Sequence, residues 1–289
     1  MTRDFARAGA VVTGTGAVAG DADPTPFLRL RKLRKFMGRQ DDLAVTAAGR
    51  ALAAASLGSP LGERCGLYLA VGYIPFEAAD MDQLLDASLE GDRFSMARFA
   101  SDGLGAINPL LTFRVLPNMP AFHISVSFDV QGPYVVTYPG VGQFYCALEE
   151  AFAALESGAI DVALVGGVAD QRNALVEHHF SRITPPVAPS TLVNAAAFLV
   201  LERTVDAQAR GAVPRGRLLD YTLEYAPLDP FAGAASSECL ARDGVCLDDG
   251  RRVGPASLGL ALADPAGGRV THDVRTRDGF IATSAWEMA

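Results

Sequence analysis

Two long apolar runs constrain the fold of this chain more than any other feature. They are DVALVGGVA (161–169) and AAAFLVLER (195–203), and neither alternates between apolar and polar positions. A strand that is apolar on both sides must be covered on both, as the central strands of a parallel sheet are. Similar but shorter runs predict further strands. These runs are AVVTGTGAV (10–18), GLYLAVG (66–72) and YVVTY (134–138).

Helical patterns separate these strands. The segment DDLAVTAAGRALAAASLG (41–58) is rich in alanine and leucine, with Asp41 or Asp42 available as its cap and Gly58 as its end. Further helices are predicted at MDQLLDASLEG (81–91), at residues 143–157 and at TVDAQARG (204–211). The segment HISVSFDV (123–130) alternates and is predicted to be a strand or a strand edge. Strands that alternate with helices predict an α/β layered fold.

The last part of the chain has a different composition. From about residue 230 it is rich in Gly, Asp and Ser, and its short apolar runs predict hairpins rather than helices. These runs are SLGLALAD, GRVTHDV and GFIATSAW. We therefore divide the chain into a main part, residues 1–215, and a reduced part, residues 216–289, packed on the same domain.

The overall composition excludes several classes of protein. Of the 289 residues, 49% are hydrophobic and 20% are charged, which is a globular mix and not that of a disordered chain. No apolar run approaches the ~20 residues of a membrane-spanning helix, and the first residues lack a signal-peptide layout. A cytoplasmic location and no membrane partner are therefore expected. The net charge of -8 argues against nucleic acid as a partner.

One short segment departs from this acidic balance. Residues 29–39 hold six basic side chains, and they include the only two lysines of the protein. We call this segment the basic window. It is either an ordinary solvated surface or a docking face for an acidic partner or a phosphate group. Its basic residues are Arg29, Arg31, Lys32, Arg34, Lys35 and Arg39.

Three further patterns argue against common cofactor and metal sites. The run GTGAVAG (14–20) is one residue off the dinucleotide fingerprint, but Pro24 and Pro26 interrupt the helix that must follow it. The cysteines lack zinc or redox spacing and are expected to be buried free thiols: Cys65, Cys146, Cys239 and Cys246. No metal site is expected either, because the candidate ligands lack helical spacing: His123, Glu177, His178 and His179.

The most informative stretch is GPYVVTYPGVGQFYCALEEAFAALESGAIDVALVGG (132–167). It resembles the signature of the β-ketoacyl synthases, in which Gly-Pro precedes a strand, an alanine-containing helix follows, and Gly leads into a strand that ends in Gly-Gly. The matching residues are Gly132, Pro133, Ala147, Ala151, Gly158, Asp161, Ala163, Gly166 and Gly167. Four other segments extend the resemblance over residues 10–225: AVVTGTGAV, FMGRQDDLAVTAAGRAL, NPLLTFRVLPNMPAFHIS and AAAFLVLERTVDAQARGAV.

The resemblance implies a thiolase-like αβα fold, built in the family from two similar halves. Here the family-like segments use about the first 210 residues for one half, so two equal halves would need roughly 400. The sequence has 289 residues. We therefore expect a complete first half and a truncated second half.

The resemblance fails at the residue that carries the family's chemistry. Counted from Gly132, the position of the nucleophilic cysteine is occupied by Val141. A valine side chain has no lone pair and cannot form a thioester. Cys146 lies more than a helical turn further on and cannot replace it. The two histidine motifs that assist condensation in the family are also missing after residue 202.

Cysteine-less members of the family exist as chain length factors, and this chain resembles them, above all the shortened ones of aryl-polyene-type and other reducing type II systems. Such a subunit pairs with a catalytic ketosynthase, as a heterodimer or heterotetramer, and shapes its acyl tunnel during polyketide or fatty-acid-like elongation. No cofactor is implied, because an acyl carrier protein presents the substrate on its phosphopantetheine arm. The basic window would dock that acidic protein. The bulky candidates for the tunnel are Phe113, Met119, Phe122 and Phe128.

A second hypothesis keeps an enzymatic role. Gln143 lies two residues after Val141 on the same tip, and its amide can donate a hydrogen bond to a malonyl or thioester oxygen. Together with His123 it would form a small polar pocket in a stand-alone malonyl decarboxylase or acyltransferase. Equally, Gln143 can be an ordinary first-turn helix residue that bonds to the backbone.

Overall fold

A computed structural model describes residues 2–4, 9–76, 78–138, 143–182, 189–225, 245–247, 256–263 and 269–270. Its strands are Thr2–Asp4 (β1), Ala10–Ala19 (β2), Cys65–Val71 (β3), Leu89–Glu90 (β4), Arg93–Phe94 (β5), Tyr134–Thr137 (β6), Val162–Asp170 (β7), Asn194–Arg203 (β8), Gly216–Tyr225 (β9), Val245–Leu247 (β10), Ala256–Ala263 (β11) and Arg269–Val270 (β12). Its α-helices are Arg39–Ala54 (α1), Ala78–Ala87 (α2), Met96–Arg98 (α3), Leu104–Ala106 (α4), Leu111–Val115 (α5), Met119–Phe128 (α6), Gln143–Glu156 (α7), Ala174–Arg182 (α8) and Thr204–Ala209 (α9).

One mixed sheet organises the described residues. Its strand order is β10-β11-β9-β2-β8-β7-β3-β6, with β1 paired to β9 and β12 paired to β11. Strands β3, β6 and β7 are parallel, whereas β8 runs antiparallel to both β7 and β2. The carboxyl ends of β3, β6 and β7 therefore meet at one edge of the sheet, which we call the upper edge.

Helices cover both faces of this sheet. Helix α7 packs on one face through Phe144, Leu148, Phe152 and Leu155, the four residues whose spacing predicted a buried stripe. Helices α1 and α6 pack on the other face, where Phe198 is completely buried. The two faces alternate along each strand, as the two-residue period of a strand requires. The result is the expected αβα layering.

The glycines of β2 have a packing role. A methyl group on Gly14 would overlap the carbonyl oxygen of Ala51, and one on Gly16 would overlap that of Ala47. Both alanines lie on α1, so the glycines let the helix backbone approach the strand closely. Close packing against α1 therefore accounts for Gly14 and Gly16 of the glycine-rich run.

Two signature glycines have similar reasons. Gly132 lies against the backbone oxygens of Glu63 and Cys65, where no side chain fits. Gly166 of β7 is the cross-strand neighbour of Phe198 on β8, and a methyl group there would overlap the phenyl ring. These positions are therefore fixed by backbone and ring packing rather than by chemistry at a site.

The segment AAAFLVLERTVDAQARGAV closes on itself through one buried carboxylate. Glu202 at the end of β8 is buried and accepts hydrogen bonds from two guanidinium nitrogens of Arg210, at 2.6 and 2.5 Å. The hydroxyl of Thr13 on β2 donates to the same carboxylate. Strand β8, the chain after α9 and strand β2 are thereby held together. Gly211 follows with φ of +72°, as the predicted end of this helix requires.

The secondary structure predicted for residues 123–130 is wrong. The segment HISVSFDV was predicted to be a strand or strand edge, but residues 119–128 form helix α6. Its buried residues recur with a helical period, since His123, Ile124, Ser127 and Phe128 face α1 and the sheet. Pro120 stands in its first turn, where a missing N–H costs nothing. The short stretch of alternation misled because Ile and Val also suit a strand.

Two further boundaries differ from the prediction. Helix α1 begins at Arg39 with Gly38 as its cap, and Asp41 lies inside the first turn, where its carboxylate accepts a hydrogen bond from the Gly38 N–H at 2.8 Å. The helix ends at Ala54, four residues before Gly58. In the last part of the chain, β11 and β12 confirm two predicted strands, whereas GFIATSAW lies outside the described residues.

Candidate functional site

The tip between β6 and α7 is the site that the sequence predicted. The strand ends at Thr137 and the helix begins at Gln143, and the Thr137 hydroxyl donates a hydrogen bond to the Gln143 carbonyl at 2.9 Å. Val141 lies between these residues, in a stretch outside the described part of the chain. The two described ends of this stretch, Thr137 and Gln143, are thus held together at the upper edge of the sheet, where α7 begins with the positive end of its dipole. Its sequence offers no nucleophile at the expected position.

The two described thiols do not compensate for this loss. Burial raises the pKa of Cys65 to about 12, and the charge of Glu202 adds to this effect. Burial, with Glu149 and Glu150, also raises the pKa of Cys146. A nucleophilic cysteine needs the opposite shift, because the thiolate is the reactive form. Both residues are free thiols, and only Cys65 is completely buried as predicted.

Gln143 and His123 are not brought together. Gln143 opens α7 on one face of the sheet, whereas His123 lies on α6 on the other face. The Gln143 carbonyl accepts the hydrogen bond from Thr137, and the Gln143 side-chain amide forms no hydrogen bond with another described residue. The polar pocket predicted from these two residues is therefore not formed between them.

His123 instead faces a second buried polar residue, Asp41. The His123 Nε2 atom lies 3.9 Å from the Asp41 Oδ2 atom, and both side chains are excluded from solvent. Burial lowers the pKa of His123 to about 4, against a smaller raising effect from the Phe36 backbone. Burial also raises the pKa of Asp41 well above its usual value. Both groups therefore favour their uncharged forms, so His123 is not a proton donor at neutral pH.

The start of α1 is also tied to the upper edge of the sheet. The side chain of Gln40 accepts a hydrogen bond from the Asp170 backbone N–H at 3.1 Å, and Asn173 donates to the Asp170 carbonyl at 2.9 Å. All three residues are buried. This cluster was not predicted from the sequence, although two polar residues, Gln40 and Asp41, at the start of an otherwise apolar helix indicate a polar contact there.

The four bulky candidates for the tunnel divide into two pairs. Phe128 and Met119 are buried, and Phe128 packs against Phe27 with 6.4 Å between ring centroids. Phe113 and Phe122 are 45% and 44% exposed. The exposed pair therefore remains available to a partner, whereas the buried pair contributes to the packing of this chain.

The strand β6 lies at the end of the described sheet order. It pairs with β3 on one side only, and Tyr134 is 66% exposed. The sequence predicted this strand to be buried, but in the single chain it is an exposed edge with partly buried residues. Such an edge presents unpaired backbone groups, which another strand can pair with.

All six basic residues of the basic window are exposed to solvent. Residues 31–36, RKLRKF, adopt a 3-10 helix, in which side chains three positions apart lie above one another. The repeat therefore places basic residues on two sides of this helix and Leu33 with Phe36, which are partly buried, on the third side. Arg34 pairs with Asp42 at 2.8 Å, and Arg29 pairs with Asp129 at 3.3 Å.

Metal and membrane sites are not supported by the described residues. Within these ranges, no group of three or more His, Cys, Asp or Glu side chains is placed to hold a metal ion. The His179 ring instead contacts the Tyr73 ring, with 4.9 Å between ring centroids and an angle of 44° between the ring planes. In the part of the chain that the structure describes, every helix is too short or too polar to cross a bilayer.

Comparison with known proteins identifies the family. The model of the β-ketoacyl synthase N-terminal domain matches residues 3–211. The chain belongs to this family. The match ends at Gly211, where the segment that pairs Glu202 with Arg210 also ends. No curated protein matches the sequence.

Solved ketosynthase structures share the fold. A type II polyketide synthase acyl carrier protein in complex with its ketosynthase, AntDE:AntF, superposes with a TM-score of 0.63 at 19% identity, covering 75% of this chain and 69% of that one. The ishigamide ketosynthase/chain length factor superposes with a TM-score of 0.57 at 21% identity, covering 82% of this chain and 65% of that one. A β-ketoacyl synthase from Burkholderia phymatum STM815 superposes with a TM-score of 0.56 at 18% identity, covering 76% of this chain and 65% of that one. The chain thus spans about two thirds of these ketosynthase-like proteins.

Proposed function

We propose that this protein is a non-catalytic, chain-length-factor-like subunit that pairs with an active ketosynthase. The observation that carries the proposal is Val141 at the position of the family's nucleophile. A condensing enzyme must hold the growing acyl chain as a thioester, and valine cannot form one. The raised pKa values of Cys65 and Cys146 support the proposal, because neither thiol is activated to take over.

The surface of the chain supports a partner at the β6 edge. Tyr134 and Tyr138 flank this edge and are 66% and 39% exposed. Phe113 and Phe122 add exposed aromatic surface on α5 and α6, and aromatic side chains dominate the energetics of protein interfaces. In our proposal the ketosynthase covers this surface, and the two phenylalanines limit the length of its acyl tunnel.

The carrier protein is the second partner in our proposal. Type II acyl carrier proteins are acidic, and the basic window supplies the opposite charge, so it would steer their approach. The substrate arrives on the phosphopantetheine arm of the carrier, so the subunit itself needs no cofactor. The role belongs to polyketide or fatty-acid-like elongation in the cytoplasm.

Co-expression with the ketosynthase of the same gene cluster tests the proposal. We expect the two chains to co-purify in equal amounts and the pair to make a product of defined length. Exchanging Phe113→Ala and Phe122→Ala should lengthen that product, whereas exchanging the buried Phe128→Leu should change stability instead. Failure of the two chains to associate would overturn the proposal.

A second candidate function rests on the side-chain amide of Gln143 at the start of α7, which forms no hydrogen bond with another described residue. In this alternative the chain alone decarboxylates a malonyl group or transfers an acyl group, with the amide donating a hydrogen bond to the thioester oxygen. Purified protein would then release CO2 from malonyl carrier protein, and Gln143→Ala would abolish the release. An inactive wild-type protein excludes this alternative.

A further inference from the structure

A surface pocket lies at the edge of the sheet opposite the upper edge. Its volume is about 400 Å³, which is within the range of small-molecule sites. Two of the three segments around it lead into the starts of the parallel strands β3 and β6, so the pocket is remote from the tip. The lining residues are Pro26, Phe27, Leu28, Arg29, Ser59, Pro60, Ser127 and Asp129.

The walls of the pocket are held together by contacts within the chain. The Leu61 and Gly62 N–H groups donate hydrogen bonds to the Phe128 and Asp129 carbonyls at 3.1 and 2.8 Å, which fixes the loop after α1 against the end of α6. The Phe27 ring packs against the Phe128 ring, with 6.4 Å between ring centroids. The shape of the pocket is therefore part of the fold itself.

The floor of the pocket carries an unpaired polar group. Ser127 is the one buried residue of the lining, and its Oγ atom forms no hydrogen bond with another described residue. Buried hydroxyls are normally paired, because leaving one unpaired costs free energy. Most of the walls above it are apolar, namely Pro26, Phe27, Leu28 and Pro60. A complementary ligand therefore has an apolar body and one polar group at its inner end.

The polar group at that inner end must be uncharged. It would lie beside a neutral hydroxyl in a buried position, where a charge without a counter-charge is expensive. The wall next to Ser127 includes the Phe27 ring, against which an aromatic ring packs well. A phenol combines these properties, since its ring is apolar and its hydroxyl both donates and accepts a hydrogen bond.

The rim of the pocket carries one cation and one anion side by side. The Arg29 Nη1 atom lies 3.3 Å from the Asp129 Oδ2 atom, and both side chains reach solvent. The Gln131 amide donates to the other carboxylate oxygen of Asp129 at 2.9 Å and so orients it. Adjacent opposite charges match a zwitterion, whose carboxylate binds the guanidinium and whose ammonium binds the carboxylate.

We infer that this pocket binds a small zwitterionic phenol, of which the amino acid tyrosine is the simplest example. The phenol hydroxyl pairs with the Ser127 Oγ atom, and the ring lies between the apolar walls. The α-carboxylate and α-ammonium groups pair with Arg29 and Asp129 at the rim. The inference goes beyond the proposed function and does not depend on it.

Titration of the full-length chain with three probes in a calorimeter tests the inference. The probes are L-tyrosine, L-phenylalanine, which lacks the hydroxyl, and tyramine, which lacks the carboxylate. We expect tyrosine to bind about fivefold more tightly than either of the others. Ser127→Ala should remove the advantage of tyrosine over phenylalanine. Ser125→Ala is the matched control, because Ser125 lies on the same helix outside the lining.

Two further pairs of variants test the rim and the location. Arg29→Gln should remove the advantage of tyrosine over tyramine, whereas Arg31→Gln, an exposed position outside the lining, should keep it. Ser59→Trp places an indole ring at the pocket and should abolish the binding of all three probes. The exposed Ser157→Trp is its control and should bind them as the wild type does.

Four results would overturn the inference. They are the absence of saturable tyrosine binding, equal affinities of the wild type for tyrosine and phenylalanine, tyrosine binding that survives Ser59→Trp, and an unchanged preference for tyrosine in Ser127→Ala. None of these measurements needs a ketosynthase. Failure of the pocket therefore leaves the proposed pairing standing, and failure of the pairing leaves the pocket standing.

Discussion

Val141 occupies the position at which the β-ketoacyl synthases carry their nucleophilic cysteine, and a valine cannot form a thioester. The described residues on either side of it are held together, since the Thr137 hydroxyl donates a hydrogen bond to the Gln143 carbonyl at 2.9 Å. The family signature survives because most of its residues serve packing, as Gly132 and Gly166 do here. Loss of the nucleophile is therefore compatible with retention of the fold.

Restoring a thiol at this position provides a first prediction. In the Val141→Cys variant the thiol would lie just before α7, and a helix N-terminus lowers a cysteine pKa to about 7 or below. We expect iodoacetamide at pH 7 to label this thiol faster than Cys146, and to leave Cys65 unlabelled in the folded protein. Peptide mapping by mass spectrometry measures each site. Labelling no faster than at Cys146 would contradict a lowered pKa for a thiol at position 141.

The buried His123 provides a second prediction. Its pKa of about 4 in the folded chain lies below the value of about 6.5 in an unfolded one, so the unfolded chain binds the extra proton between these values. Stability from this residue is complete above pH 6.5 and is lost as the pH falls towards 4. Asp41, with its raised pKa, acts in the opposite direction.

The His123→Gln variant isolates this effect. Between pH 6.5 and pH 4.5, we expect the free energy of unfolding, measured with urea, to fall by about 2 kcal/mol more for the wild type than for the variant. His179, which is exposed on α8, supplies the control variant His179→Gln, whose pH dependence should follow the wild type. Equal slopes for His123→Gln and the wild type would refute the low pKa.

At the scale of elements, the sequence predicted the sheet better than the helices around it. The apolar runs of β7 and β8 were correctly predicted as strands covered on both faces, although β8 runs antiparallel to its two neighbours rather than parallel. Helix α6 was mistaken for a strand because eight residues do not separate a period of two from one of 3.6. The polar pair at the site was also wrong, since sequence spacing does not tell which face of a sheet a helix covers.

The contact between α1 and β2 provides a third prediction at this scale. Gly16→Ala would push the α1 backbone away from the strand and should lower the free energy of unfolding by about 2 kcal/mol. Gly105→Ala is the matched control, because no atom lies near the added methyl group and the residue is helical. The control should be neutral or stabilising by up to about 1 kcal/mol. Equal losses in chemical denaturation would disprove the close packing.

At the scale of the whole molecule, the sheet formed by the described residues ends in a strand, β6, that pairs on one side only. In the described sheet, β6 ends the strand order and carries Tyr134 at 66% exposure. At the opposite end, β9 to β12 extend the sheet beyond β2. The two ends thus differ, and association through β6 would leave the strands of the last part of the chain free of the contact.

A fourth prediction follows for assembly. Tyr134→Asp with Tyr138→Asp places charges on the β6 edge and should prevent co-purification with the ketosynthase, while thermal unfolding of the isolated chain changes little. Val213→Asp is the control, because this valine is 79% exposed away from the edge. Pairing that survives the double substitution would place the interface elsewhere.

The three-residue repeat within the basic window has a practical consequence. Lys32 and Lys35 are the only lysines in 289 residues, and the 3-10 turn stacks them on one stripe. Every primary amine of the protein, apart from its amino terminus, therefore stands on a single patch a few ångströms long. An amine-reactive dye would therefore label this patch and the amino terminus alone, so the two lysines provide a reporter group for any molecule that binds there.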